Sequence, residues 1–104
     1  FQVKDTGLPA ARVSVQLNDQ DPANLDVMGQ VLVELDDHMN ADRFFHRAIA
    51  VDSRYAPAYF HLGILYSGLD DRDKAVYYLE QTLVYSANPA IRDQTQRLLS
   101  SYLP

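Results

Sequence analysis

The chain contains no cysteine. Disulfides, zinc–thiolate sites and thiol catalysis are therefore excluded, while the compartment stays open. No apolar run approaches the roughly 20 residues of a membrane-spanning helix, so membrane insertion is not expected. The first residues, Phe1 to Gly7, are mixed and carry Lys4 and Asp5, unlike a signal peptide. The chain opens on Phe1, not Met, and reads as a piece of something longer. Basic charge is scarce: nine Lys and Arg face 14 Asp and Glu, for a net charge of −5. Such a chain repels phosphate backbones and anionic lipid surfaces, so nucleic acid is not an expected partner. No nucleophile elbow, phosphate-binding glycine loop or paired catalytic motif is present. His38, His46 and His61 fall in a turn and on two different helical segments, and nothing converges the three or four ligands a metal needs. The sequence points to a non-catalytic protein with no metal and no cofactor.

What is present is an internal repeat. Gly29 and Gly63 stand at an offset of 34 residues, and the same offset pairs Met28 with Leu62, Leu32 with Tyr66 and Leu35 with Leu69. It also pairs Asp36-Asp37 with Asp70-Asp71, Ala41 with Ala75, Phe45 with Leu79 and Ile49 with Leu83, without a gap. Each unit reads as two helices. Leu25, Met28, Leu32 and Leu35 fall at helical spacing; Asp36-Asp37 interrupts, and either Asp can cap the next helix. That helix carries Ala41, Phe45, Ala48, Ile49 and Val51 on one face. The second copy follows the plan with Pro57 in a first turn, then Tyr59, Leu62, Gly63, Tyr66 and Leu69. Asp71 is the next cap, ahead of Ala75, Leu79 and Leu83. Asn88-Pro89 is expected to end this helix, and a further amphipathic helix to run from about Ala90 to Tyr102. A glycine inside a helix costs nearly 1 kcal/mol relative to alanine, so its recurrence suggests close approach of a neighbouring helix, with Ala41 and Ala75 opposite.

This pattern resembles the tetratricopeptide repeat (TPR). The second copy carries the likeness best, from Ala58-Tyr59-Phe60-His61-Leu62-Gly63-Ile64-Leu65-Tyr66 through Ala75. Tyr59 stands where the family favours Trp. Leu25 and Leu32 replace aromatics in the first copy, Thr82 departs from the usual Ala, and the terminal proline comes late, at Pro89. The two copies span about two-thirds of the chain. The resemblance implies an all-α fold, an α-α superhelix of antiparallel helix pairs in a right-handed solenoid. Residues 1–21 are expected to hold the second helix of a truncated repeat, 22–55 and 56–89 two full repeats, and 90–104 a capping helix. Within the first segment, Leu8, Ala11, Val15 and Leu17 suit a helix, whereas the alternation of Val13, Val15 and Leu17 suits a strand, which would lack a partner. A truncated repeat leaves apolar surface open, so the fragment is expected to self-associate through that end. The polar side of the last helix, with Arg92, Asp93, Gln94, Gln96 and Arg97, fits a solvating cover.

In this family the first helices of successive repeats line a concave face that binds a protein or peptide. The matching positions are Asp26, Gln30, Val33 and Glu34 in the first copy and Phe60, Ile64 and Ser67 in the second, to which the closing helix adds Gln94 and Leu98. Phe60 and Ile64 either form an apolar shelf for an anchor side chain or are covered by the closing helix. Asp26 and Glu34 would give that face an acidic edge. Asp26, Gln30 and His61 stand where one subclass of the family has a basic clamp for acidic tails, so such tails are not the expected ligand. Tyr77 and Tyr78 are adjacent and cannot share one core-facing direction, so at least one should be exposed, as should Phe44 beside Phe45. These aromatics either form an outer interface or lie against their own helix. The expected function is a protein-interaction scaffold; the alternative is a self-assembly segment that makes the parent protein a homo-oligomer.

Overall fold

The computed structural model describes residues 20–103. They form five helices: α1 (Pro22–Glu34), α2 (His38–Val51), α3 (Ala56–Gly68), α4 (Arg72–Tyr85) and α5 (Pro89–Ser100). Among the described residues there is no strand. The helix expected near Leu8 to Asn18 lies outside them. The chain divides into two compact units that meet between Ser53 and Arg54. In the first, α1 packs on α2; in the second, α3 and α5 both pack on α4.

The helix starts follow from their caps. Asp21 accepts a hydrogen bond from the Ala23 amide at 2.9 Å, and Pro22 fills the first helical position, where its missing N–H costs nothing. Pro57 occupies the first turn of α3, and Asn88 caps α5 by accepting from the Ala90 and Ile91 amides at 2.9 and 3.3 Å. Helix α4 stops at Tyr85, short of Asn88-Pro89, and α5 stops at Ser100, so Tyr102 lies in a turn and not in the closing helix.

The Asp-Asp pairs divide two roles between neighbours. Asp36 and Asp70 take the left-handed conformation, with φ of 60° and 59°. The Asp36 amide then reaches the Val33 carbonyl at 3.0 Å and the Asp37 amide reaches Leu32 at 2.8 Å; Asp70 to Ser67 (3.2 Å) and Asp71 to Tyr66 (2.9 Å) repeat this. These bonds satisfy the orphan carbonyls at the ends of α1 and α3. The second aspartate of each pair caps the following helix: Asp37 accepts from the Asn40 amide at 3.4 Å and Asp71 from the Lys74 amide at 3.3 Å. A three-residue turn that ends one helix and starts the next forces each pair to run antiparallel.

The core of the first unit is Leu25, Met28, Leu32, Ala41, Phe45 and Ala48; that of the second is built on Ala58, Leu62, Leu65, Ala75 and Leu79, all buried. Each large member contributes about 1.5–3 kcal/mol by leaving water. The repeating glycines let these helices close. A Cβ built on Gly29 would lie 2.6 Å from Phe45 Cδ1, and one on Gly63 would lie 2.6 Å from Leu79 Cδ2. The side chain nearest each glycine is thus Phe45 or Leu79, with Ala41 and Ala75 fully buried one turn earlier. Thr82 is also fully buried, and its hydroxyl donates to the Tyr78 carbonyl at 2.8 Å, so its departure from Ala leaves no polar atom unmet.

Candidate partner-binding surfaces

On α1, Gln30 and Glu34 are exposed and Val33 is half-buried. Asp26 is not at the surface: it is 3% exposed and accepts from Gln30 Nε2 at 2.8 Å. Leu25 and Asp26 are neighbours that both turn inward, so the inward-facing arc of α1 is wider than the stripe read from Leu25, Met28 and Leu32. The acidic edge expected from two carboxylates is therefore carried by Glu34 alone.

On α3 the expected apolar pair separates. Phe60 is 7% exposed, whereas Ile64, one turn on, is 42% exposed. Phe60 contributes to burial, and the apolar surface of this stretch is Ile64. Ser67 is half-buried and already engaged: its Oγ accepts from the Tyr102 hydroxyl at 2.7 Å. On α5, Gln94 is exposed and Leu98 half-buried.

The outer aromatics behave unequally. Tyr77 is 54% exposed. Tyr78 is half-buried and stacks on Tyr66 with ring centroids 5.8 Å apart, while Tyr77 meets Tyr78 edge-on at 5.1 Å. Lys74 Nζ lies 4.9 Å from the centre of the Tyr66 ring, a cation–π contact. Phe44 is half-buried beneath the Arg47 guanidinium, 5.0 Å from its ring centre. Tyr78 and Phe44 thus lie largely against their own unit, and Tyr77 is the aromatic that water reaches.

The second unit holds one arrangement that helical periodicity does not reveal. Tyr102, after α5, ties back to α3 through Ser67 and to α4 through its carbonyl, which accepts from Arg72 Nη2 at 2.5 Å. Beside this tie a cleft of about 570 Å³ runs between α4 and α5, lined by Arg72, Val76, Glu80, Gln96, Leu99 and the residues that follow α5. Arg92 crosses from α5 to donate to the Leu83 and Ser86 carbonyls at 2.5 and 3.0 Å. It supplies positive charge to the C-terminal end of α4, whose own last turn has no basic residue.

His46 Nδ1 lies 3.4 Å from Asp42 Oδ1 and 2.9 Å from the Asp42 carbonyl, one turn earlier on α2. Among the described residues no three His, Asp or Glu side chains gather as a metal site would, and no helix is long and apolar enough to cross a membrane.

These features define a TPR-like helical repeat fold. Among solved structures the chain is similar to the crystal structure of MamA, a TPR-type protein, with a TM-score of 0.70 and 24% sequence identity. The match covers 93% of this chain and 68% of that one, and at this identity it is a likeness of fold. No protein-family model and no curated protein matches the chain.

Proposed function

We propose that this protein is a non-catalytic interaction module that holds peptide or protein segments on the first helix of each hairpin, α1 in one unit and α3 in the other. The observation that carries this reading is Ile64. It sits on a helix with seven buried residues, yet is itself 42% exposed. A β-branched side chain left in water adds little to the unit's own core, and it gives a partner an apolar contact with few rotamers to lose. Gln30 and Glu34, exposed on α1, add polar contacts, with Glu34 favouring basic or neutral ligands over acidic ones. Val33 and Ser67 would sit at the margins of these faces, and Asp26 and Phe60 would support them from inside.

The test is capture of partners by the immobilised protein beside an Ile64→Asp variant, with folding checked by circular dichroism. Phe60 is unsuitable for this, because a carboxylate at a buried site would unfold the unit. A protein retained by the wild type and lost by Ile64→Asp, with the bound segment mapped to α3 by chemical-shift changes, supports the proposal. Equal retention by both moves the function away from this face.

A further inference from the structure

Arg72, Val76 and Glu80 recur every four residues along α4 and line the cleft it forms with α5. This spacing puts them on one face, with the two charges about 12 Å apart along the axis at ~1.5 Å per residue. The order is positive, apolar, negative, with the apolar residue at the midpoint. Such a stripe is complementary to itself when two copies run antiparallel. Arg72 then meets Glu80 of the second copy, Val76 meets its own equivalent, and Glu80 meets the second copy's Arg72. Among the described residues the Glu80 carboxylate has no ion-pair partner. Arg72 commits Nη2 to the Tyr102 carbonyl, which orients its guanidinium at the cleft and leaves other N–H groups for a carboxylate. Half-buried Leu99 and 70% exposed Leu103 supply further apolar surface at the same cleft.

We infer that a second copy of this chain occupies the cleft, in a two-fold dimer centred on Val76. An isologous contact needs one patch that complements itself, and this stripe meets that condition by its charge order. The first hairpin lacks the pattern, since the residues 34 earlier are His38, Asp42 and His46. Pairing is therefore confined to the second unit and closes as a dimer. The inference does not depend on the partner-binding proposal, which concerns α1 and α3.

The experiment is sedimentation velocity across a range of concentrations on the intact chain and two charge reversals, Glu80→Arg and Arg72→Glu, each checked for helicity. The wild type should dimerise, more weakly as salt is raised. Each reversal alone places like charges together twice and should weaken the dimer at least tenfold. An equimolar mixture of the two reversals should recover a heterodimer, because every contact is again between opposite charges. Should Arg72→Glu lose its fold with the Tyr102 tie, single cysteines in this cysteine-free chain give a second readout. Val76→Cys should be crosslinked by a short bis-maleimide, and Gln81→Cys, about 140° round α4, should not. A monomeric wild type, reversals that still dimerise, folded reversals whose mixture stays monomeric, or equal crosslinking at both cysteines would overturn the inference.

Discussion

Adding one methyl group at each of three glycines should give opposite results, decided by what the new Cβ meets. In a helix interior Gly→Ala gains up to about 1 kcal/mol through the narrower unfolded ensemble and better propensity. At Gly63 that gain is opposed. The added carbon would lie 2.6 Å from Leu79 Cδ2, 2.8 Å from Cγ and 3.4 Å from the Leu79 amide nitrogen. Leu79 is fully buried, so a new rotamer has no free space to enter, and its amide nitrogen stays in place whatever the side chain does. Overpacking of this kind costs about 1–3 kcal/mol, so Gly63→Ala should be net destabilising by about 1 kcal/mol. Gly29→Ala should cost more, because the obstacle is the fully buried Phe45 ring, which cannot bend. Gly68, the last residue of α3, has nothing within 4 Å of the added carbon, and Gly68→Ala should stabilise by a few tenths of a kcal/mol up to about 1. Urea titrations followed by helical dichroism measure all three, and each kcal/mol should move Tm by about 4–8 °C in a domain this small. A double-mutant cycle isolates the cause. Leu79→Ala should cost about 2–5 kcal/mol in the wild type, and about 1 kcal/mol less beside Gly63→Ala, where it also removes the clash. A Gly63→Ala protein as stable as Gly68→Ala, or a cycle with no coupling, would refute the close-approach argument.

Two other features, the Asp-Asp turns and Arg92, give equally direct tests. Adjacent aspartates should respond with opposite sign: Asp36→Gly and Asp70→Gly relieve a left-handed backbone and should each stabilise by roughly 0.5–1 kcal/mol. Asp37→Ala and Asp71→Ala each remove a helix cap and should cost about 1 kcal/mol, all four read from denaturant midpoints. Arg92→Ala leaves the Leu83 and Ser86 carbonyls without their charged donor and should cost about 1.5–3 kcal/mol, with faster amide exchange in the last turn of α4.

The hairpins were legible because their signals are local. Glycine spacing, the Asp-Asp turns and the apolar stripes each lie within one or two helical turns, and each imposes its own geometry. Which residue fills the space above a glycine was not legible. That depends on the stagger of α2 against α1 and of α4 against α3, which brings Phe45 and Leu79 nearest the glycines. Burial on α1 departs from the expectation for a related reason. A stripe counted from apolar residues gives the centre of a buried face, not its width, so Asp26, expected at an acidic edge, lies inside it; Phe60, for which exposed and covered positions were both open, is buried too. The Tyr102 tie joins residues 30 and 35 positions apart, and no periodicity encodes such a contact. A Tyr just past a polar closing helix was its one sequence trace.

The two copies also separate structural from functional demands within one chain. Where a position is fixed by packing, the offset of 34 residues keeps its chemistry: Gly29 with Gly63, Ala41 with Ala75, and both Asp-Asp turns. Where it faces water, the chemistry diverges: Gln30 against Ile64, Arg43 against Tyr77, His46 against Glu80. The hairpin contact that both copies share, Gly29 on Phe45 and Gly63 on Leu79, does not involve the second set. An exposed isoleucine and tyrosine cost solubility and add little to the core, so the second hairpin carries surface chemistry that its own folding does not require. Exchanging such residues between copies, Ile64→Gln with Tyr77→Arg, should therefore leave Tm within a few degrees, since exposed substitutions shift stability by only about 0.5 kcal/mol. Partner capture through α3 should be lost in the same variant, while self-association through Arg72, Val76 and Glu80 should persist. A large fall in Tm would mean that these side chains belong to the core after all, and that the divergence of the two copies reflects packing and not recognition.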